Sequence, residues 1–212
     1  RDTFPFEERV YLSRLVTLAQ SDDLSAARMI VQQRRQSVWR SLPERALLWK
    51  LAERSVDFLY AVVAWNDRKP RANSSVRNWI DAYMAADGLW LVDRHQRLVE
   101  QGAAECVEHC EVTDLVSLCR QRYREVAEVT QAAFLQAVDR EGWPPEAVRR
   151  QTQTFNAHVA PALVERRKVA YFLVDAMRYE MGRDLALVLE TFGPVSVSCA
   201  ATVLPTTTPC GM

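Results

Sequence analysis

Glycine is scarce in this chain: only 6 of 212 residues. That scarcity argues against a protein of many tight turns and fits helices joined by short connections. A net charge is missing too, with 27 basic and 27 acidic side chains in balance. No global electrostatic case exists for nucleic-acid or membrane-surface binding, so nucleic acid is a partner the charge does not support. No apolar run approaches the roughly 20 residues of a membrane span, no signal-peptide pattern opens the chain, and no membrane partner is expected. There is no internal repeat, no low-complexity tract and no Gly-rich phosphate loop. The five cysteines, at 106, 110, 119, 199 and 210, are odd in number and scattered. Such a set suits reduced thiols and a cytoplasmic protein.

What is present, at 49% hydrophobic content, is enough for one or two globular domains. Residues 1–167 read as helix throughout. Ser41-Leu42-Pro43-Glu44 has the form of a capping box, a hydroxyl at the cap and a carboxylate three residues on. It should start a long helix with an apolar stripe of Leu48, Leu51, Val56, Leu59 and Val63. Asn66 to Ser75 breaks the pattern with charge, Pro70 and two serines. Ser74 or Ser75 should cap the helix of Trp79, which Gly88 can interrupt. Thr113 begins another helix that stops before Gly142-Trp143-Pro144-Pro145, and a further one is predicted from Glu146 towards Pro161.

Some features invite a sharper reading than a packed helical domain requires. Cys106, His109 and Cys110 have helical spacing, but no second Cys/His pair follows at zinc-site distance. Arg68, Lys69, Arg71 and Arg77 make a basic stretch whose plain reading is a solvated loop. Trp39, Trp49, Trp65, Trp79 and Trp90 read as an aromatic core rather than as stacking platforms.

From Lys168 the character changes. Val169–Val174 is an apolar run rich in β-branched and aromatic residues, ending on Asp175, and predicts a strand buried on both faces of a parallel sheet. Helical spacing of Met181, Leu185, Val188 and Leu189 follows, with Gly193 at the expected C-cap and Pro194 beyond it. Val195 opens a second strand-like run that stops at Pro205-Thr206-Thr207-Thr208-Pro209. Strand, helix and strand in this span make one βαβ unit. Parallel strands end at the same sheet edge, neighbours about 4.8 Å apart. If these two are neighbours, Asp175 and the threonines would face each other across a ligand crevice; with an intervening strand they would sit about 10 Å apart, still one pocket's width. Thr208 before Pro209 also reads as an N-cap, where helix N–H groups favour a phosphoryl anion. The plainer alternative is that Asp175 and the threonines only cap helices.

Asp175-Ala-Met-Arg-Tyr-Glu180 and Leu204-Pro-Thr-Thr-Thr-Pro-Cys-Gly-Met212 resemble the two N-terminal motifs of the PglZ domain. Upstream, Trp79–Arg97 is similar to the helical segment preceding that domain in PglZ proteins of BREX phage-defence systems. The resemblance implies an alkaline-phosphatase-superfamily fold and metal-dependent phosphate ester hydrolysis. The fold class is then a mostly α N-terminal region, 1–167, followed by the start of an α/β alkaline-phosphatase-like domain, 168–212. Asp175 would be a metal ligand, zinc being the ion implied. Thr208 is the favoured nucleophile or second ligand, with Thr206 as the other candidate. Arg178 and Glu180 would pair on the helix or support the pocket. The remaining ligands would come from later in a longer chain, since the sequence starts at Arg1 without an initiator Met and stops inside the second motif. The piece alone is expected to be inactive. Its partners would be the remainder of its own chain, other phage-defence proteins, and a phosphate ester or nucleotide substrate. A rival expectation is a helical scaffold of a defence complex with a vestigial or regulatory pocket. Nucleotide binding without hydrolysis is a third.

Overall fold

The long helix at the centre of the chain begins at Pro43, whose fixed φ and missing N–H suit a first helical turn. The computed structural model describes residues 4, 6–106, 110–146 and 148–202. Among them the α-helices are α1 (Phe6–Gln20), α2 (Leu24–Arg34), α3 (Pro43–Arg68), α4 (Val76–Met84), α5 (Leu89–Glu105), α6 (Thr113–Glu141), α7 (Thr154–His158), α8 (Ala160–Val164) and α9 (Tyr179–Leu189). The molecule is mostly helical. No helix among the described residues is long and apolar enough to cross a membrane.

The chain divides into two compact units. The first comprises residues 1–69 and 82–132, the second 70–81 and 133–212. The predicted boundary between 167 and 168 falls within the second unit.

In the first unit α3 packs on α5 and α2, and α1 on α2. Leu12, Leu15, Leu48, Trp49, Leu51, Phe58 and Leu115 are wholly or almost wholly buried. Each such side chain contributes about 1.5–3 kcal/mol through removal from water. The tryptophans of this unit are core residues, as the sequence suggests: Trp49, Trp65 and Trp90 are buried and Trp39 is half-buried, and Trp79 of the second unit is buried as well. A polar knot ties four segments of this unit together. The buried Glu8 carboxylate of α1 accepts hydrogen bonds from Arg34 of α2, from Ser37 at 2.7 Å and from the Trp49 indole of α3. Arg34 also lies over the Tyr11 ring at 4.7 Å.

Several local expectations need correction. Ser41 does not cap α3. It closes a 3-10 turn, Val38–Ser41, and its hydroxyl donates back to the Val38 carbonyl at 2.7 Å, leaving Leu42 at the N-cap. Val63 is 46% exposed and departs from the buried stripe. The helix predicted from Glu146 begins only at Thr154, because residues 149–151 are drawn into a parallel bridge instead. Other expectations hold. Ser75 caps α4 by accepting from the Asn78 amide at 3.1 Å, and Gly88 separates α4 from α5 as the N-cap of the latter.

Candidate functional site

The expected site lies in the second unit, around the turn between the Val169–Val174 run and α9. α8 ends at Val164, and the chain reverses through Arg166, whose φ is +58°. Arg166 and Arg167 amides donate to the Leu163 and Ala162 carbonyls, both at 2.9 Å, which satisfies carbonyls that a helix end leaves open.

The run that follows is not in a sheet. Among the described residues 169–174 form no strand pairing, and Phe172, Leu173 and Val174 are 81%, 76% and 58% exposed. The second predicted strand, from Val195, makes a single parallel bridge, Ala201 with Arg150. The Ala201 amide donates to the Arg149 carbonyl at 2.7 Å, and Gln151 donates to the Ala201 carbonyl at 2.8 Å. Trp143 Nε1 donates to the Thr202 carbonyl at 2.6 Å beside this bridge. The expected βαβ unit, whether its strands are neighbours or one strand apart, does not form among the described residues. Two strands without a third or a covering layer are marginal in water, which is the physical reason for the discrepancy.

Asp175 sits on the turn that ends the exposed run. Its carboxylate is exposed and accepts the Ala176 amide at 2.9 Å, while Ala176 takes a φ of +55°. It does not cap α9. The N-cap there is Arg178, which makes no side-chain capping bond. Arg178 Nε pairs with Glu180 Oε1 at 3.1 Å, and Glu180 is fully buried although Arg178 is largely exposed. The structure thus brings Arg178 and Glu180 together and holds Asp175 three residues before Arg178 on the adjoining turn.

Helix α9 forms where its periodicity predicts, but it ends at Leu189 with Glu190 as C-cap, short of Gly193. Its buried face is Glu180 and Ala186. The predicted apolar stripe of Met181, Leu185, Val188 and Leu189 is 37–60% exposed.

Thr206 and Thr208, the candidate nucleophiles and second metal ligands, lie outside the described residues, as do His109 and Cys210. Asp175 offers one hard oxygen, of the type divalent ions accept. Among the described residues no group of three His, Cys, Asp or Glu side chains could hold a metal ion. Cys106 and Cys119 are free thiols in buried positions, and burial pushes Cys119 up to about 12. Two members of the basic stretch form local pairs, Arg68 with Asp87 and Arg77 with Asp81 at 2.8 Å.

No protein-family model, no curated protein and no solved structure matches the chain.

Proposed function

We propose that residues 168–212 open a PglZ-type domain and that the full-length protein is a metal-dependent phosphatase or phosphodiesterase. The proposed setting is phage defence of the BREX type. The observation that supports this reading best is the pairing of two motifs, Asp175–Glu180 and Leu204–Met212, separated by one amphipathic helix. Asp175 is exposed and carries a hard carboxylate of the type divalent ions accept. The uncovered run 169–174 and the outward apolar stripe of α9 suit a strand and a helix whose sheet is completed by further chain.

In this reading Asp175, one of Thr206 and Thr208, and later residues hold a divalent ion, zinc by resemblance. Such an ion strips the proton from a hydroxyl and neutralises charge that develops on phosphoryl oxygens. Thr208 is the preferred nucleophile. Arg178 and Glu180, paired at 3.1 Å, fix the first turn of α9 directly after the ligand. Replacing Asp175 by Ala in the full-length protein should remove most bound metal and hydrolysis of a model phosphate ester. Unchanged metal content would displace Asp175 from the site.

The alternative is a scaffold whose helical part matters more than any chemistry, motivated by the helical region's lack of a catalytic motif. Phage restriction that survives both Asp175→Ala and Thr208→Ala, but not loss of residues 1–167, would establish it.

A further inference from the structure

The first unit contains a cleft that has no part in that chemistry. Helices α3 and α6 pass one another in parallel: Cys119 Sγ lies 4.0 Å from the Ser55 carbonyl, and further along Trp65 Nε1 donates to Thr130 Oγ1 at 3.4 Å. Between them opens a cleft of about 430 Å³. Its buried lining is Leu24, Leu59, Val62, Trp65 and Val126. A volume of this size falls within the roughly 300–1,000 Å³ of small-molecule sites. The α6 wall from Arg122 to Thr130 spans only about 12 Å at 1.5 Å per residue, too short to seat a long partner helix.

The charges on the rim are unequally disposed. Arg122 holds both oxygens of Asp22 at 3.1 Å and reaches Glu125 at 3.4 Å. Two carboxylates share one guanidinium, so that end carries an excess negative charge. Lys69 lies past Trp65 at the other end, the end level with Thr130. Its ammonium donates to the neutral Asn66 amide oxygen at 3.1 Å and joins no ion pair among the described residues. Its position after the last turn of α3 also suits the helix dipole, a purely structural role.

We propose that this cleft binds a small amphiphile with an apolar body of about two fused rings and one anionic group. The body lies against Trp65 and the Leu59–Val62 floor. The anion meets Lys69, because the Asp22–Arg122–Glu125 end repels it. A single lysine matches a monoanion such as a carboxylate; a dianionic phosphate would need more positive charge than the rim offers.

Calorimetric titration of the chain with naphthoate and with its neutral counterpart, naphthalenemethanol, tests the proposal. Both should bind one-to-one, naphthoate about tenfold tighter, the scale of one charge-assisted contact. Lys69→Met should abolish that preference and leave the alcohol's affinity unchanged, whereas Lys69→Arg should keep it. Val129→Trp, at a rim position that is 55% exposed, should obstruct both probes without disturbing the core. Absence of saturable binding, equal affinity for the two probes, or undiminished binding in the Val129→Trp protein would each overturn the proposal.

Discussion

Glu8 is the residue on which the first unit's polar interior turns. It is fully buried, and its carboxylate serves an arginine, a serine and a tryptophan from three other segments. Removing one partner of a buried charge pair leaves the other desolvated and uncompensated. Glu8→Ala should therefore cost about 3–5 kcal/mol in urea unfolding, and Glu8→Ala with Arg34→Leu should be less destabilised than the sum of the two singles. Gly88 is constrained by space. A Cβ there would stand 2.3 Å from the Ala82 carbonyl oxygen and 2.4 Å from that of Tyr83, and backbone cannot yield as a side chain can. Gly88→Ala should lower the thermal midpoint by an amount corresponding to roughly 1–3 kcal/mol. Glu100 supplies a pH dependence. Arg120 donates to both of its oxygens, at 2.9 and 2.7 Å, and holds its carboxyl below the usual range. The folded state thus binds this proton less readily than the unfolded one. The pair's stabilisation is present above the unfolded carboxylate value and is lost as pH falls through the lower folded value. Wild type should lose urea midpoint faster than Arg120→Met between about pH 5 and pH 3.

At the level of elements, the α3–α5 contact depends on a glycine. A Cβ at Gly102 would meet Leu51 Cδ1 at 3.0 Å and Arg54 Nη1 at 3.2 Å. Leu51 is fully buried, so its side chain has little room to yield, and Arg54 would have to give up its bond to the Leu98 carbonyl at 3.1 Å. Alanine favours a helix interior by about 1 kcal/mol over glycine, yet Gly102→Ala should destabilise, because the overpacking penalty is as large or larger. A higher thermal midpoint in that variant would show that the two helices can separate. The helices of the first unit were legible in the sequence for a plain reason: their 3.6-residue periodicity is answered by neighbours within the same unit. The Val195 run was legible as extended but not in its pairing. Its partner, Arg150, lies in a stretch rich in arginine and glutamine that carries no strand pattern. Ser41 misled because a hydroxyl can bond backwards to Val38 as well as forwards to a helix. At the candidate site the sequence marked Asp175, Arg178 and Glu180 through the motif. The burial of Glu180 was not legible, because a charged residue on an amphipathic helix has no local sign of lying inward.

For the molecule as a whole, the two units differ in how much of their apolar surface is inside. The first buries large aromatic and aliphatic side chains, whereas the second leaves Val164, Phe172, Leu173 and Phe192 at 76–84% exposure. Extended apolar chain without a partner invites association. Amides of 169–174 should exchange within the fastest phase of hydrogen exchange in this 212-residue chain and, if the proposed PglZ-type domain continues beyond it, become protected in the longer protein. Strong protection in a proven monomer of the short chain would remove the need for further strands.

The discontinuous make-up of the units also dictates an order of events during synthesis. Residues 70–81 leave the ribosome well before 133–141, yet the Val76 amide must find Glu141 at 3.0 Å and the Ser74 carbonyl must find Arg140 at 2.9 Å. At roughly 5–20 residues per second, that segment waits on the order of several seconds for its partners. Meanwhile the first unit becomes complete with residue 132. Residues 70–81 therefore spend their first seconds unsecured by these partners while residues 82–132 are still being made, an interval in which a nascent chain is open to proteases and chaperones.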